Sequence, residues 1–322
     1  MGFFRRTAAR DLLKLYVASD LHGSTACFAK MLKAREWYGA DATLIAGDLT
    51  GKMVVPVVAD GDGYVSRFHG LEHRLTRGEV GAHEREINAA GLYAYRTTPE
   101  EVEELEREPA RVDQIFHRLV LERVERWMEM GDATLTESGH RCYLVPGNDD
   151  YPEIDALLRQ GESMRFVDGV VDHIDDEHEI VGLGVSNVTP WNAPRDIPEP
   201  QIAERLDALA QQVEHPERAV FMIHVPPKDS SIDLAAELDD ELRPKGIGGR
   251  MVGVGSTAVR EVLERVQPLL SVHGHIHESP GIARVGRTTC VNPGSEYSQG
   301  ILRGALVNLT SDKVAGHLFV SG

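Results

Sequence analysis

Cysteine is scarce in this chain: three residues in 322, Cys27, Cys142 and Cys290, lie far apart and show no metal-ligand spacing. That argues against a disulfide framework or a thiolate zinc site, and a reducing, cytoplasmic compartment is expected. Positive charge is the second shortage. Thirty-four Lys and Arg stand against 51 Asp and Glu, a net charge of -17. Phosphates would be repelled over most of such an exterior, so no general nucleic-acid or membrane surface is expected, although bound metals could still create a local positive site. Long apolar runs are missing too, since none approaches the about 18 residues of a spanning helix. The opening stretch, MGFFRRTAARDLLKLYVAS, is basic early, but its apolar part is short and interrupted by Lys14, so no signal peptide is read. Arg6 stands where a myristoylation signal needs Ser or Thr, so no lipid anchor is read. With 42% hydrophobic residues and no internal repeat or low-complexity tract, the chain is expected to form a single domain over 1–322.

What is present centres on Leu-Leu-Ser-Val-His-Gly-His-Ile-His-Glu-Ser at 269–279. The apolar run 269–272 reads as a buried strand that empties into Gly274-His275-Ile276-His277. Two histidines one residue apart at a strand end can bring both rings into one space, and imidazole is the commonest side-chain metal ligand at neutral pH. Gly274 lets the backbone turn where a side chain would collide with the site.

Taken in order, the chain alternates strands and helices. Residues 12–18 read as a strand ending in Ser19-Asp20-Leu21-His22-Gly23, and Ser24 caps a helix with Phe28, Met31, Leu32 and Trp37 at helical spacing. A second strand, 43–46, ends in Gly47-Asp48-Leu49-Thr50-Gly51. Strand, helix, strand is the unit of a layered α/β fold, whose sites form at strand carboxyl ends. Residues 52–140 break the rhythm and read as a mainly helical insertion. Pro56, Gly61 and Gly63 mark an irregular start; 100–130 reads as helix, with Pro109 opening a new one and Gly131 ending it. About ninety residues are too many for a simple connection, leaving a lid, a dimer surface or a helical pack against the scaffold as its roles. The core resumes with strand 141–145, ending in Pro146-Gly147-Asn148-Asp149-Asp150, then helix 151–160 and strand-like stretches 164–174 and 179–185. A proline-rich loop at 189–200 and helix 201–213 lead to strand 219–223, which ends in His224-Val225-Pro226-Pro227. A long loop, 228–255, precedes a Ser256-capped helix at 257–266. Three tail strands are read at 288–291, 304–309 and 314–319.

Five strand ends therefore carry metal-type residues: Asp20 with His22, Asp48, Asn148, His224, and His275 with His277. Carboxylate and amide oxygens mixed with imidazoles suit Mn, Fe or Zn. Seven ligands exceed the needs of one ion and suit two that share a carboxylate. Weaker features stay open. The glycines at 246–249 and 253–255 precede a helix and could hold an anion or form a flexible loop, with no P-loop spacing. Asn292-Pro293-Gly294-Ser295 is a turn or a phosphate-side loop. His69, His73 and His83 lack carboxylate partners at metal spacing and read as surface or core histidines, and the charge run 100–108 reads as a solvated helical face.

The series DLHG, GDLTG, GN, HVPP and GHIH, in that order, resembles the calcineurin-like metallophosphoesterase superfamily, with the phosphodiesterase-like bacterial and archaeal members most similar. The resemblance implies an α/β fold, a four-layered α/β/β/α sandwich of two mixed sheets flanked by helices. It implies that Asp20, His22 and His277 hold one metal, that Asn148, His224 and His275 hold the other, and that Asp48 bridges them. His273 is a ligand only if the motif is read out of register. The implied cofactors are two divalent or mixed-valence ions, Mn before Fe or Zn. Ions roughly 3.5–4 Å apart would supply a bridging hydroxide to attack phosphorus in line. The expected activity is hydrolysis of small phosphoesters, diesters first, with a phosphomonoesterase, a phosphoprotein phosphatase or a non-catalytic metal-binding scaffold as alternatives. A homo-oligomer is left open. One position departs from the pattern: Asp149 follows Asn148 where most members carry His. Beside two cations its carboxyl is expected to stay ionised, a poor proton donor and a repulsive neighbour for dianionic monoesters.

Overall fold

A computed structural model describes residues 12–239, 241–245 and 249–322. The leader and lipidation readings of the first residues, and 246–248 of the glycine-rich stretch, lie outside the described residues.

Two-residue alternation in the strands builds the layers. In Leu13–Ala18, Leu15 and Val17 face one way while Tyr16 and Ala18 face the other. Leu44 and Ile45 split likewise, as do Tyr143 and Leu144. These strands belong to a six-stranded sheet ordered Val314–Ser321, Arg303–Leu309, Leu13–Ala18, Ala42–Ala46, Arg141–Val145, Met164–Phe166. The last four run parallel, and the first two join antiparallel. The second six-stranded sheet is ordered Gly281–Val285, Thr288–Asn292, Leu270–Val272, Val220–Ile223, Glu179–Leu183, Val171–His173. Its four central strands are parallel and its edges antiparallel.

The inner faces meet in one core, where Val17, Leu44 and Tyr143 of the first sheet pack with Val220, Met222 and Val272 of the second. Outside the first sheet, Tyr16, Ile45 and Leu144 pack on helices Thr25–Met31 and Pro109–Thr136. Outside the second, Val181, Phe221 and Ile223 pack on Ile202, Leu206 and Leu209 of helix Glu199–Ala210 and on Val259, Val262 and Leu263 of helix Thr257–Val266. Four layers result, as the resemblance implies. Among the described residues no helix is long and apolar enough to cross a membrane.

Within 52–140 helices cover Val80–Ala89, Pro99–Arg107 and Pro109–Thr136, but the start read as irregular is a sheet. Val54–Asp60, Gly63–Phe68, Leu71–Thr76 and Tyr93–Thr97 form a four-stranded sheet with helix Val80–Ala89 against it. Pro56 is tolerated inside a strand because pairing with Gly63–Phe68 begins only at Val57, so its missing N–H breaks no bond there. His69 and Gly70, both at positive φ, make the two-residue turn of a hairpin. Gly131 does not end the long helix, which runs to Thr136. A Cβ at Gly131 would meet Met164 Cγ at 2.6 Å, so the glycine serves close packing. Other readings shift as well. Residues 164–174 divide between the two large sheets, and Trp37, read as apolar-face, is 72% exposed because the first helix breaks before Ala34–Tyr38. Gly281–Val285 adds an edge strand that the sequence pattern does not signal.

The long helix belongs to the main core. Val120, Val124, Trp127, Met128 and Leu135 line its buried face, and Trp127 stacks on Phe28 with centroids 4.2 Å apart. Trp127→Ala should therefore cost about 3–5 kcal/mol. Denaturant unfolding measures this; a loss under about 1 kcal/mol would show that the helix is a dispensable cover.

Candidate metal centre

The parallel strands of both sheets end on one side, and the seven residues singled out in the sequence meet there. Asp20, His22, Asp48 and His277 bring one donor atom each within 4.8 Å of one another, and Asp48, His224 and His275 do the same. Asp48 joins the two groups. Its Oδ2 lies 3.4 Å from His22 Nε2 and its Oδ1 3.5 Å from His224 Nε2. His277 Nε2 lies 3.4 Å from Asp20 Oδ1 and 3.0 Å from His22 Nε2. Asn148 Oδ1 completes the second group, 3.0 Å from His224 Nε2 and 2.8 Å from His275 Nδ1.

Short loops aim these side chains. Asp20, His22, Asp48 and His275 all have positive φ, a region that L residues other than Asn and Asp rarely adopt. The first two motif loops hold each other there: Asp20 N donates to Gly47 O, His22 N to Asp48 O and Gly23 N to Leu49 O. Asp20 also accepts from His275 N, tying the first motif to the last. His273 is out of the group. Its Nδ1 faces the carbonyls of Ile223 and Val225, so the out-of-register reading is not the one this structure adopts. His69, His73 and His83 lie in neither group and pack around Phe68.

The donor set fits cations. His224 Nδ1 is committed to Ala46 O at 2.7 Å, and Asn148 Nδ2 to Asp196 Oδ1 at 3.1 Å. That turns His224 Nε2 and Asn148 Oδ1 toward His275 Nδ1 and Asp48. Acceptor lone pairs then converge with few protons to share. Without cations, burial holds His22 and His275 neutral, down to about 3. Burial also opposes charge on His224, but the Asp48 carboxylate overcomes it and raises His224 to about 10. Burial works against the Asp48 charge, and the His224 and His22 rings reverse that, holding it well below the usual carboxylate range. A cation held by these groups would offset the Asp48 charge in place of the His224 proton.

Several residues here carry no motif signal. Asp150 is fully buried and accepts from Leu49 N, Thr50 N, Thr50 Oγ1 and Gly147 N at 2.6–2.9 Å, pinning two motif loops together. The proline-rich stretch reads as a plain loop but works as a strap. Arg195 N donates to Asn148 O, its guanidinium reaches Asp150 O and Tyr151 O, and Asp196 orients the Asn148 amide. Ser186 Oγ lies 3.2 Å from His275 Nε2 and can fix that ring.

Asp149 needs correction. It is no bare negative charge, because Lys52 Nζ pairs with its carboxylate. Burial and then Asp48 raise its carboxyl to about 6 against the pull of Lys52. The glycine-rich helix entry needs one too. Glu199 accepts from Ser256 Oγ, Thr257 N and Ala258 N, so the chain's own carboxylate fills that helix N-terminus. Nor is the preceding loop unstructured, for it contains the strand pair Leu234–Ala236 and Met251–Gly253. Asn292-Pro293-Gly294-Ser295 is a turn braced on the site, with Ser295 Oγ donating to Asp20 O.

The calcineurin-like phosphoesterase family model matches residues 13–279, and the chain belongs to that family. An uncharacterized protein of Methanocaldococcus jannaschii is 28% identical over 177 residues, 54% of this chain and 70% of its own. One crystal structure matches with a TM-score of 0.56 at 17% identity, covering 97% of this chain and 98% of its own. Another, of a Thermus thermophilus protein, matches at 0.52 and 15%, covering 93% and 99%. These two likenesses concern the fold.

Removing the Asp196 carboxylate frees the Asn148 amide to turn its nitrogen inward. Asp196→Ala should weaken Mn retention at the Asn148 side by about 10–100-fold, with Asp196→Asn intermediate. Equilibrium dialysis gives the measurement, and unchanged retention in a folded variant would leave Asp196 with a purely structural role.

Proposed function

We propose that this chain is a two-metal phosphoesterase acting on phosphodiesters. The observation that carries the reading is the Asp48 carboxylate, whose two oxygens face different donor groups. In this reading Asp20, His22 and His277 hold one ion, Asn148, His224 and His275 hold the other, and Asp48 bridges them. The mix of imidazole, carboxylate and amide donors favours Mn, with Fe and Zn as alternatives.

Two such ions, when bound, supply an activated water and offset charge on the phosphoryl oxygens. The chain's own residues orient and exclude. His224 keeps Nε2 directed inward by donating from Nδ1 to Ala46 O. Asp150 and the 186–197 strap hold the loops rigid. Tyr297 packs against His22 and His277, with ring centroids at 4.5 and 5.8 Å, and closes one side. Lys52 places a single ammonium at the rim, which suits a monoanionic diester better than a dianionic monoester.

No imidazole occupies the position after Asn148, and beside two cations the Asp149 carboxyl stays ionised. The leaving oxygen must then depart with little proton transfer from that position. Aryl diesters should be hydrolysed much faster than alkyl diesters in a panel run with added Mn, with and without chelator. Alkyl monoesters as the best substrates would overturn the diester reading. No hydrolysis by a protein loaded with about two ions would favour the scaffold reading instead.

Asp48→Ala removes an oxygen from both groups. Turnover should be nearly abolished while the far-ultraviolet circular dichroism persists, and metal content should fall below two per chain. Wild-type turnover with two ions bound would refute the bridge.

A further inference from the structure

The motif loops themselves supply no cationic side chain to the open side of the site; Lys52, just past the second, does. Its side chain is half exposed, and its charge is felt at Asp48, His22 and Tyr297. The residue that pairs with it is anchored at its backbone, since Asp149 N donates to Asp48 Oδ1 at 3.0 Å. The ion pair is thus fastened to the carboxylate that joins the two donor groups. That bond fixes the point from which the Asp149 side chain reaches Lys52.

An exposed ammonium–carboxylate pair contributes little to stability, so its ammonium is available to a better acceptor. A phosphoryl oxygen is one: charge-assisted bonds to phosphate are roughly twice as strong as neutral ones. Lysine suits the task as a compact point charge on a flexible stem, able to touch both Asp149 and an incoming anion. Asp149 is the more buried partner, 23% exposed against 51% for Lys52.

We propose that Lys52 is the substrate-anion-binding cation of this site, with Asp149 as the positioning residue that holds it over the donor groups. The ammonium takes a non-bridging oxygen of a phosphodiester. This deepens the phosphoesterase reading and rests on it. It also accounts for a carboxylate after Asn148: there it works by locating a cation.

The test uses the Mn-loaded full chain and inorganic phosphate as the probe, followed by calorimetry. Lys52→Met should raise the phosphate Kd by about 10–100-fold, because a bond to a charged group is lost and Asp149 is left to repel the anion. Lys52→Arg should stay within about threefold of wild type. The double variant Lys52→Met/Asp149→Asn should recover part of the loss, since the repelling charge is gone. Mn content should match wild type throughout, and for an aryl diester KM should rise more than kcat falls. Phosphate bound as in wild type by Lys52→Met, at full Mn content, overturns the proposal, as does a wild-type protein that binds no phosphate. If wild type hydrolyses diesters and Lys52→Met changes neither Kd nor KM, the inference fails and the phosphoesterase reading stands. If wild type hydrolyses no phosphoester yet phosphate binding depends on Lys52, that reading fails and the anion site stands.

Discussion

The carboxylate of Asp48 is 2% exposed and lies where the carboxyl ends of both sheets meet. One oxygen faces a ring from the first sheet and the other a ring from the second. An uncompensated buried carboxylate costs several kcal/mol, so compensation has to come from atoms a few ångströms away. The His224 ring, raised to about 10 beside Asp48, supplies it here, and cations would supply it where they bound. His224 in turn donates to Ala46 O, one of the bonds that locks the two sheets together. Sheet packing and the charge balance of the site are therefore one problem. A shift of either sheet would part Asp48 from the groups that offset it.

Backbone strain follows from the same demand. Asp20, His22, Asp48 and His275 are held at φ between 41° and 67°. Such conformations cost of order 1–3 kcal/mol each and persist only where the surroundings over-determine them. Here the surroundings are the parallel ladders just upstream, the bonds between the first two motif loops, and the four donors that converge on Asp150. The same loops that carry the donors have almost no freedom left. A metal cluster assembled on them would meet a site already shaped, at little further cost in order.

Most of the scaffold was legible because it obeys short-range rules. Apolar runs of four to six residues ending in Gly, Asp or Asn mark strands that stop at a functional loop, and Ser256 capping Thr257–Val266 is visible as a cap before a 3.6-residue pattern. The seven residues that meet at the candidate centre were legible for the same reason, at five strand ends, two of which carry a pair. The sheet within 52–140 was not. Its strands are half solvated, and Pro56 and the glycines read as breakers until the pairing registers are known. Gly131 reads as a stop unless Met164, distant in sequence, is known to press on it. Asp150, Asp196 and Lys52 were invisible in a deeper sense. Each acts through a partner brought near only by folding, and an aspartate or lysine in a loop has no pattern of its own.

Glycines beside the donors show how closely sequence and site are bound. Gly147 precedes Asn148, and a Cβ there would fall on the Asp48 carboxylate. At Gly274 it would run into Ser19 and come within 2.6 Å of Asp20 Oδ2. Neither residue lies at positive φ, so turning freedom is not the reason for glycine. The reason is space: the carboxylates of the first two motifs occupy the volume where side chains of the third and fifth would begin. A glycine in one motif is thus set by a carboxylate in another, far away along the chain. The five motifs are one packing unit, and a change in any of them acts on the joint Asp48 makes between the donor groups.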